Sequence, residues 1–223
     1  MRIDVETKDC TALSDAELAE MADISANGPA GFDVGVLSKA RDEWVLISQA
    51  HDGAALAGYA FCTLERIGGT PSVLVGLASV ARTPRRQEAL GALRDEALRR
   101  AVLAFPDEDV LVATRLREPS GYAVYADLTD VVRRPGHKAT GEERAWARRL
   151  AKRFGCDGKV NDRSFVLEGN GSVDGVLDYT ATEDTSHDEA VADYFAELDV
   201  ERGDCLVVFG WAMAEDLAPL ASR

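Results

Sequence analysis

Hydrophobic and polar positions alternate in several short stretches of the first half of the chain, which is the pattern of half-buried β-strands. Residues 2–6 alternate polar and apolar, and residues 44–48 and 56–64 form a pair of strand-like runs separated by a turn. Residues 72–80 are apolar at nearly every position, as in a central strand that is covered on both faces. We predict an N-terminal strand followed by a three-stranded antiparallel meander over about residues 43–81.

Three other stretches carry apolar residues at helical spacing. Capping boxes at Ser14 and at Thr140 open two of these helices, and the second helix runs over residues 140–154. The longest stripe begins at Thr83 and Pro84, where threonine can cap the helix and proline suits its first turn. Shorter predicted elements are strands at 110–114, 163–168 and 204–210, and helices just after Pro119 and over 186–195.

The composition fits a folded chain that needs no covalent or metal cross-link. It has 223 residues, of which 46% are hydrophobic, enough to build a sizeable core. The four cysteines lie far apart and lack zinc-ligand spacing, so we expect buried, reduced thiols and no structural metal. We predict a single domain over residues 1–223, in which residues 1–130 form the core with a ligand site. Residues 131–223 add a basic helix, an acidic loop and closing strands.

The negative charge is concentrated near the C-terminus. Residues 170–223 account for −11 of the net charge of −14, whereas residues 133–153 and the trio Arg82, Arg85 and Arg86 are basic. This balance argues against a duplex nucleic-acid binder, which needs a basic face, but it allows an anionic cofactor. The chain also has no long apolar window and no secretory leader pattern, so we expect a cytoplasmic, soluble protein without a membrane partner.

The loop before the longest helix carries the most informative motif. Arg86-x-x-Ala89-x-Gly91 follows a strand and opens a helix. With the order of the predicted elements, it resembles the GNAT superfamily of acyl-CoA-dependent N-acyltransferases, whose motif is Arg/Gln-x-x-Gly-x-Gly/Ala. The match places alanine at the first glycine position and needs one extra loop residue. The resemblance covers about residues 1–130, and the predicted strand at 204–210 matches the closing strand of the family. It implies an α+β fold with a mixed, mostly antiparallel central sheet and helices on both faces.

The resemblance also implies a cofactor site at the start of the long helix. The strand before that helix splays from its neighbour in the family, and the helix N-terminus holds the pyrophosphate of acetyl-CoA or another acyl-CoA. Unpaired N–H groups and the helix dipole favour phosphate oxygens there. The implied cofactor-binding residues are Val80, Arg82, Arg85, Arg86, Gln87, Ala89, Gly91 and Ala92. In the alternative interpretation, the arginines are merely solvated side chains at the start of the helix, and Gly91 allows a close contact of that helix.

Two tyrosines are candidates for the acid of the transfer reaction. Tyr122 and Tyr125 lie three residues apart and resemble the family segment in which a tyrosine reaches the CoA sulfur. A phenol can protonate a leaving thiolate. The alternative is that one or both tyrosines only pack the short helix onto the sheet.

The general base is less well defined by the sequence. Glu65, at the end of a meander strand, or Asp33, in an early loop, could take a proton from the amine through water. The three histidines form no recognisable triad with a nucleophile. The acids at 174–184 miss the spacing of a calcium loop, so a solvated loop is the preferred interpretation.

The sequence therefore predicts transfer of an acetyl or other acyl group from CoA to a primary amine of unknown identity. The acidic C-terminal third would favour a cationic small molecule or peptide. One alternative is a catalytically inactive GNAT-like binding or regulatory protein. Another is a module whose basic helix docks an acidic surface, and a homodimer is compatible with the late strands.

Overall fold

A ten-stranded sheet runs through the computed structural model, which describes residues 2–26, 31–170, 177–178, 189–199 and 201–221. The strands are β1 (Asp4–Asp9), β2 (Leu46–Asp52), β3 (Ala55–Ile67), β4 (Thr70–Val80), β5 (Val110–Leu116), β6 (Thr129–Val132), β7 (Val160–Asn161), β8 (Val166–Leu167), β9 (Leu177–Asp178) and β10 (Cys205–Ala212). The helices are α1 (Asp15–Ser25), α2 (Val34–Glu43), α3 (Arg86–Ala104), α4 (Pro119–Tyr122), α5 (Gly141–Arg153), α6 (Glu189–Ala196) and α7 (Ala214–Leu217).

The strand order is β1-β2-β3-β4-β5-β10-β8-β7, with β6 paired to β10 and β9 paired to β4. Neighbouring strands are antiparallel except that β4 is parallel to β5 and to β9. The sheet is therefore mixed and mostly antiparallel, which confirms the predicted fold class.

Helices cover both faces of the sheet. Val75 of β4 belongs to the core cluster under α3, together with Leu90 and Leu93. Leu77, two residues further along β4, belongs instead to the cluster that contains Leu18 of α1. The two apolar faces explain why residues 72–80 show no alternation: β4 is buried almost throughout.

Both predicted capping boxes are confirmed, at the starts of α1 and α5. The hydroxyl of Ser14 accepts from the Glu17 N–H, and that of Thr140 accepts from the Glu143 N–H. The predicted start of α3 at Thr83 and Pro84 was wrong, because the helix begins at Arg86. The hydroxyl of Thr83 accepts from the Arg85 N–H, so it stabilises the turn before the helix.

Other differences concern short elements. Tyr125 lies beyond α4, and β6, β9 and α7 were not predicted. The strand expected over 163–168 is a two-residue β8 paired with β7. All four cysteines are free thiols, and Cys10, Cys62 and Cys205 are buried as predicted, whereas Cys156 is only half-buried. The predicted helix start at Ser186 lies outside the described residues, and no helix within them is long and apolar enough to cross a membrane.

Candidate functional site

The centre of the sheet opens where β4 and β5 separate. Residues 72–74 pair in parallel with residues 111–113, and the described part of both strands shows no further pairing between them. Thr114 Oγ1 still reaches across, donating to the Val75 carbonyl at 3.1 Å. Beyond that bond the two strands leave a gap in the sheet, as the resemblance implies.

A bulge in β4 coincides with this opening. Gly76 and Leu77 both lie opposite the single residue Phe61 of β3, and such an insertion bends a strand and increases its twist. A Cβ atom at position 76 would lie 2.3 Å from Cζ2 of Trp44. Glycine is therefore required for the indole ring to lie against β4 beside the gap.

The far end of the β4 edge is occupied by β9. Ala78 and Ser79 pair in parallel with Leu177 and Asp178. The opposite edge of these β4 residues already pairs with β3, so β9 lies on the side that faces β5. A segment of the acidic C-terminal region thus enters the gap.

The N-terminus of α3 lies at the end of β4. Ala81 donates its N–H to the Ala57 carbonyl at 2.8 Å, which continues the sheet into the loop. Ala89 donates to the Arg85 carbonyl at 3.0 Å, whereas the N–H groups of Gln87 and Glu88 have no hydrogen-bond acceptor in the part of the chain that the structure describes. Such N–H groups are suited to a phosphate.

The three arginines of the trio differ in whether they form ion pairs. Arg85 forms ion pairs with Asp52 and with Glu88, the latter at 2.6 Å. The Arg85 hydrogen bond also holds the pKa of Glu88 below its ordinary value, so the charge of that carboxylate is compensated. Arg82 and Arg86 have no carboxylate within 4 Å among residues 2–26, 31–170 and the later described segments. Two of the three guanidinium groups therefore remain for an anion.

The remaining predicted cofactor residues are spread along the strand and the helix. Val80 and Ala89 are buried in the core. Gly91 and Ala92 line a surface depression between β1 and α3, away from the β4–β5 gap, and a Cβ at position 91 would meet no atom within 4 Å. A larger side chain would therefore fit at position 91, and no close contact there requires glycine.

Tyr122 has a structural partner. Its hydroxyl donates to the Arg133 carbonyl at 2.6 Å, and burial, followed by the nearby Tyr194, raises its pKa to about 12. A phenol with this partner is held in its neutral form and already donates its proton. This geometry favours the packing interpretation for Tyr122.

Tyr125 faces the gap from the α3 side. It lines a small cavity of about 30 Å³ with Val75 of β4 and Val112 of β5. Arg94 of α3 anchors the segment, because its Nη1 donates to the Val124 carbonyl at 3.0 Å. Of the two predicted tyrosines, Tyr125 is the one that lines a cavity together with residues of both strands.

A larger cavity of about 420 Å³ opens on the opposite face of the sheet, between α2, the end of α5 and strands β4 and β5. Glu65 lines it and accepts two hydrogen bonds from Arg153, both at Oε1, at 2.6 and 2.9 Å. Its Oε2 has no partner among the residues described. Glu65 therefore lies at a cavity, as a base would, but its carboxylate is held by an arginine.

Asp33 and His137 have local roles. The Asp33 carboxylate caps α2 by accepting from the Val36 N–H at 2.8 Å. His137 Nε2 lies 2.9 Å from the Glu143 carboxylate. No group of metal ligands is present among the described residues, and the predicted loop of acids at 174–184 lies almost entirely outside them.

Sequence reasoning missed Arg115, which lines the larger cavity from β5. It is 6% exposed, although its neighbours in the strand are apolar or small. A lone arginine within the otherwise uncharged run Val110–Leu116 is the signal that could have identified it.

The comparisons with known proteins gave structural matches only. No family model and no curated protein matches the sequence. The chain is similar to the ribosomal-protein-S18-alanine N-acetyltransferase of Escherichia coli, with 11% identity, 94% of this chain and 95% of that chain covered, and a TM-score of 0.49. It is also similar to an IAA acetyltransferase from Bacillus cereus, with 10% identity, coverage of 94% and 99%, and a TM-score of 0.45.

A third similarity is to a GNAT family acetyltransferase from Brucella melitensis in complex with acetyl-CoA. Its identity is 17%, its TM-score is 0.34, and 49% of this chain and 75% of that chain are covered. The fold assignment rests on this chain's own strand order and strand register and on the gap between β4 and β5.

Proposed function

We propose that the protein transfers an acyl group from an acyl-CoA to a primary amine. The observation that carries the proposal is the separation of β4 from β5 directly beside the N-terminus of α3. A strand edge, unpaired helix N–H groups and unpaired arginines converge there. This combination suits a long ligand with an amide-containing arm and a diphosphate.

The described residues fit such a cofactor. The N–H groups of Gln87 and Glu88 and the guanidinium groups of Arg82 and Arg86 would hold the diphosphate, and the short edge of β4 between its pairings with β5 and β9 would pair with the amide arm. Acyl-CoA, when bound, supplies an acyl group activated as a thioester. The alanine at position 89 is no obstacle, because its side chain points into the core.

Proton transfer would fall to residues on the two faces of the gap. Oε2 of Glu65, on the side of the larger cavity, would accept a proton from the incoming amine directly or through water. The Tyr125 hydroxyl, on the side of α3, would donate a proton to the leaving sulfur. The preference for a cationic acceptor stays a prediction from charge alone.

A second candidate function is a binding protein that retains the fold without catalysis. The specific observation in its favour is β9, which pairs with the edge of β4 that the amide arm would use. In an active enzyme, the cofactor must either displace β9 or share the edge with it. Release of free thiol from acetyl-CoA in the presence of a panel of primary amines distinguishes the two functions.

The binding site is tested by calorimetric titration with acetyl-CoA. We expect Arg86→Glu to weaken binding by tenfold or more, about 1.4 kcal/mol, because it reverses a charge beside the diphosphate. Arg163→Glu makes the same charge change at an exposed residue remote from α3 and should alter affinity less than about twofold. Absence of wild-type binding at millimolar acetyl-CoA, or equal losses in both variants, would contradict the proposal.

A further inference from the structure

We infer that the larger cavity binds a carboxylate group through Arg115, so that the amine acceptor of the proposed reaction also carries a carboxylate. The role as an acceptor rests on the proposed function, whereas the binding of a carboxylate rests on the cavity alone. Arg115 is 6% exposed and lines the cavity.

The guanidinium of Arg115 has no compensating carboxylate among the residues that the structure describes. It lies 4.7 Å from the centre of the Phe154 ring, and its Nη1 donates to the Cys156 sulfur at 3.8 Å. Its Nε is buried without a hydrogen-bond partner, and no carboxylate of the described chain lies within 4 Å. A buried charge is costly unless it is paired, so this group is suited to an anion supplied by a ligand.

The other basic side chains of the cavity are paired with a carboxylate or solvated. Arg153 is bound to Glu65 at 2.6 Å, and Lys39 lies 3.9 Å from Glu43. Lys159 is exposed and therefore solvated. Arg115 is thus the group at which an incoming anion gains most.

The residues that line the cavity indicate which kind of anion would bind there. The acids Glu43, Glu65 and Glu168 also line it, and they would oppose a doubly charged group such as a phosphate. A single carboxylate matches the planar, two-pronged donor geometry of one guanidinium. Apolar side chains from Trp44, Leu74, Leu77 and Phe154 form one part of the remaining surface, and polar side chains from Thr63 and Asn170 form another. The structure therefore assigns a small carboxylate with an apolar or aromatic body.

Matched pairs of ligands test this assignment in the intact chain without acyl-CoA. Calorimetry would compare hexanoate, 3-phenylpropanoate and L-phenylalanine with their amides, with inorganic phosphate as a further probe. We expect the carboxylates to bind at least tenfold more tightly than the amides. Equal binding of acid and amide, tighter binding of phosphate, or no binding by any carboxylate at millimolar concentration would overturn the inference.

Two variants then locate the site. Arg115→Gln should weaken carboxylate binding at least tenfold and remove the preference over the amide, whereas Arg163→Gln, at an exposed residue outside the cavity lining, should change affinity less than about threefold. Arg115→Met should unfold at the same or a higher temperature than the wild type in the absence of ligand, because it removes an uncompensated buried charge. A large fall in unfolding temperature in Arg115→Met would assign Arg115 a structural role instead.

These measurements separate the two proposals. The probes need neither acyl-CoA nor turnover, so loss of the acyl-transfer proposal would leave a carboxylate-binding cavity. Conversely, failure of the carboxylate probes beside normal acetyl-CoA binding would remove only the assignment of the acceptor.

Discussion

Neighbouring residues of one type have different surroundings in this protein. Arg85 is neutralised by Asp52 and Glu88, while Arg86, one position later, has no carboxylate partner among the described residues. Tyr122 donates to a backbone carbonyl, while Tyr125 lines the gap between β4 and β5. Residue type therefore identified the right segments, and the surroundings of each side chain distinguish the structural members from the candidate functional ones.

The two tyrosines should respond differently to loss of the hydroxyl. Tyr125→Phe should lower kcat about tenfold or more and leave acetyl-CoA affinity nearly unchanged, because it removes the proton donor and keeps the ring. Tyr122→Phe should lower the free energy of unfolding by about 1–2 kcal/mol, because the Arg133 carbonyl loses its partner, and should affect kcat less. Steady-state kinetics and urea unfolding measure both effects, and the reverse ranking in kcat would exclude the acid role of Tyr125.

Asp204 makes stability depend on pH. It is 1% exposed, and hydrogen bonds from Arg202, followed by the Gly169 and Asp199 N–H groups, lower its pKa to about 2. Because the folded pKa is depressed, the ionised form stabilises the protein above about pH 4, and this contribution is lost as the pH falls toward 2.

We therefore expect Asp204→Asn to lower the free energy of unfolding by roughly 2 kcal/mol at neutral pH and by much less near pH 2. Unfolding by urea at several pH values measures this difference. Asp157→Asn, at an exposed turn, is the matched control and should change the free energy of unfolding at neutral pH by less than about 0.5 kcal/mol. A constant difference between Asp204→Asn and the wild type across this range would contradict the assignment.

The elements of the site are positioned by close backbone contacts. The bulge of β4 at Gly76 brings the strand against Trp44, and the pairing of β9 closes the far end of the gap. Neither feature was predicted from the sequence. A bulge changes the register by one residue without changing composition, and a two-residue strand is too short for a periodic pattern.

Two glycine substitutions should have opposite effects on stability. Gly76→Ala should cost about 1–3 kcal/mol, because its Cβ would overlap the Trp44 ring. Gly91→Ala should stabilise by about 0.5–1 kcal/mol, because position 91 is an exposed helix site with open space around it. Thermal unfolding measures both changes, and a loss of stability in Gly91→Ala would show that the residue makes a contact absent from this geometry.

At the scale of the molecule, the sequence predicted the sheet class, the long strands and most helices, because each has a clear apolar pattern or a capping box. It predicted less of the candidate site, since Arg115 and Glu65 are brought together by elements far apart in the chain. The direct pairing of β10 with β5 likewise joins residues about ninety positions apart. Local pattern carries no information about such contacts.

The thiol of Cys156 gives this cavity a chemical reporter. Three of the four cysteines are buried, and burial raises the pKa of Cys10 and Cys62 to about 12 and that of Cys205 to about 11, which suppresses the reactive thiolate. Cys156 alone is half-buried, and it lines the cavity beside Arg115. Alkylation of the native protein should therefore label one position, and the labelling rate would measure occupancy of the cavity without any assay of turnover.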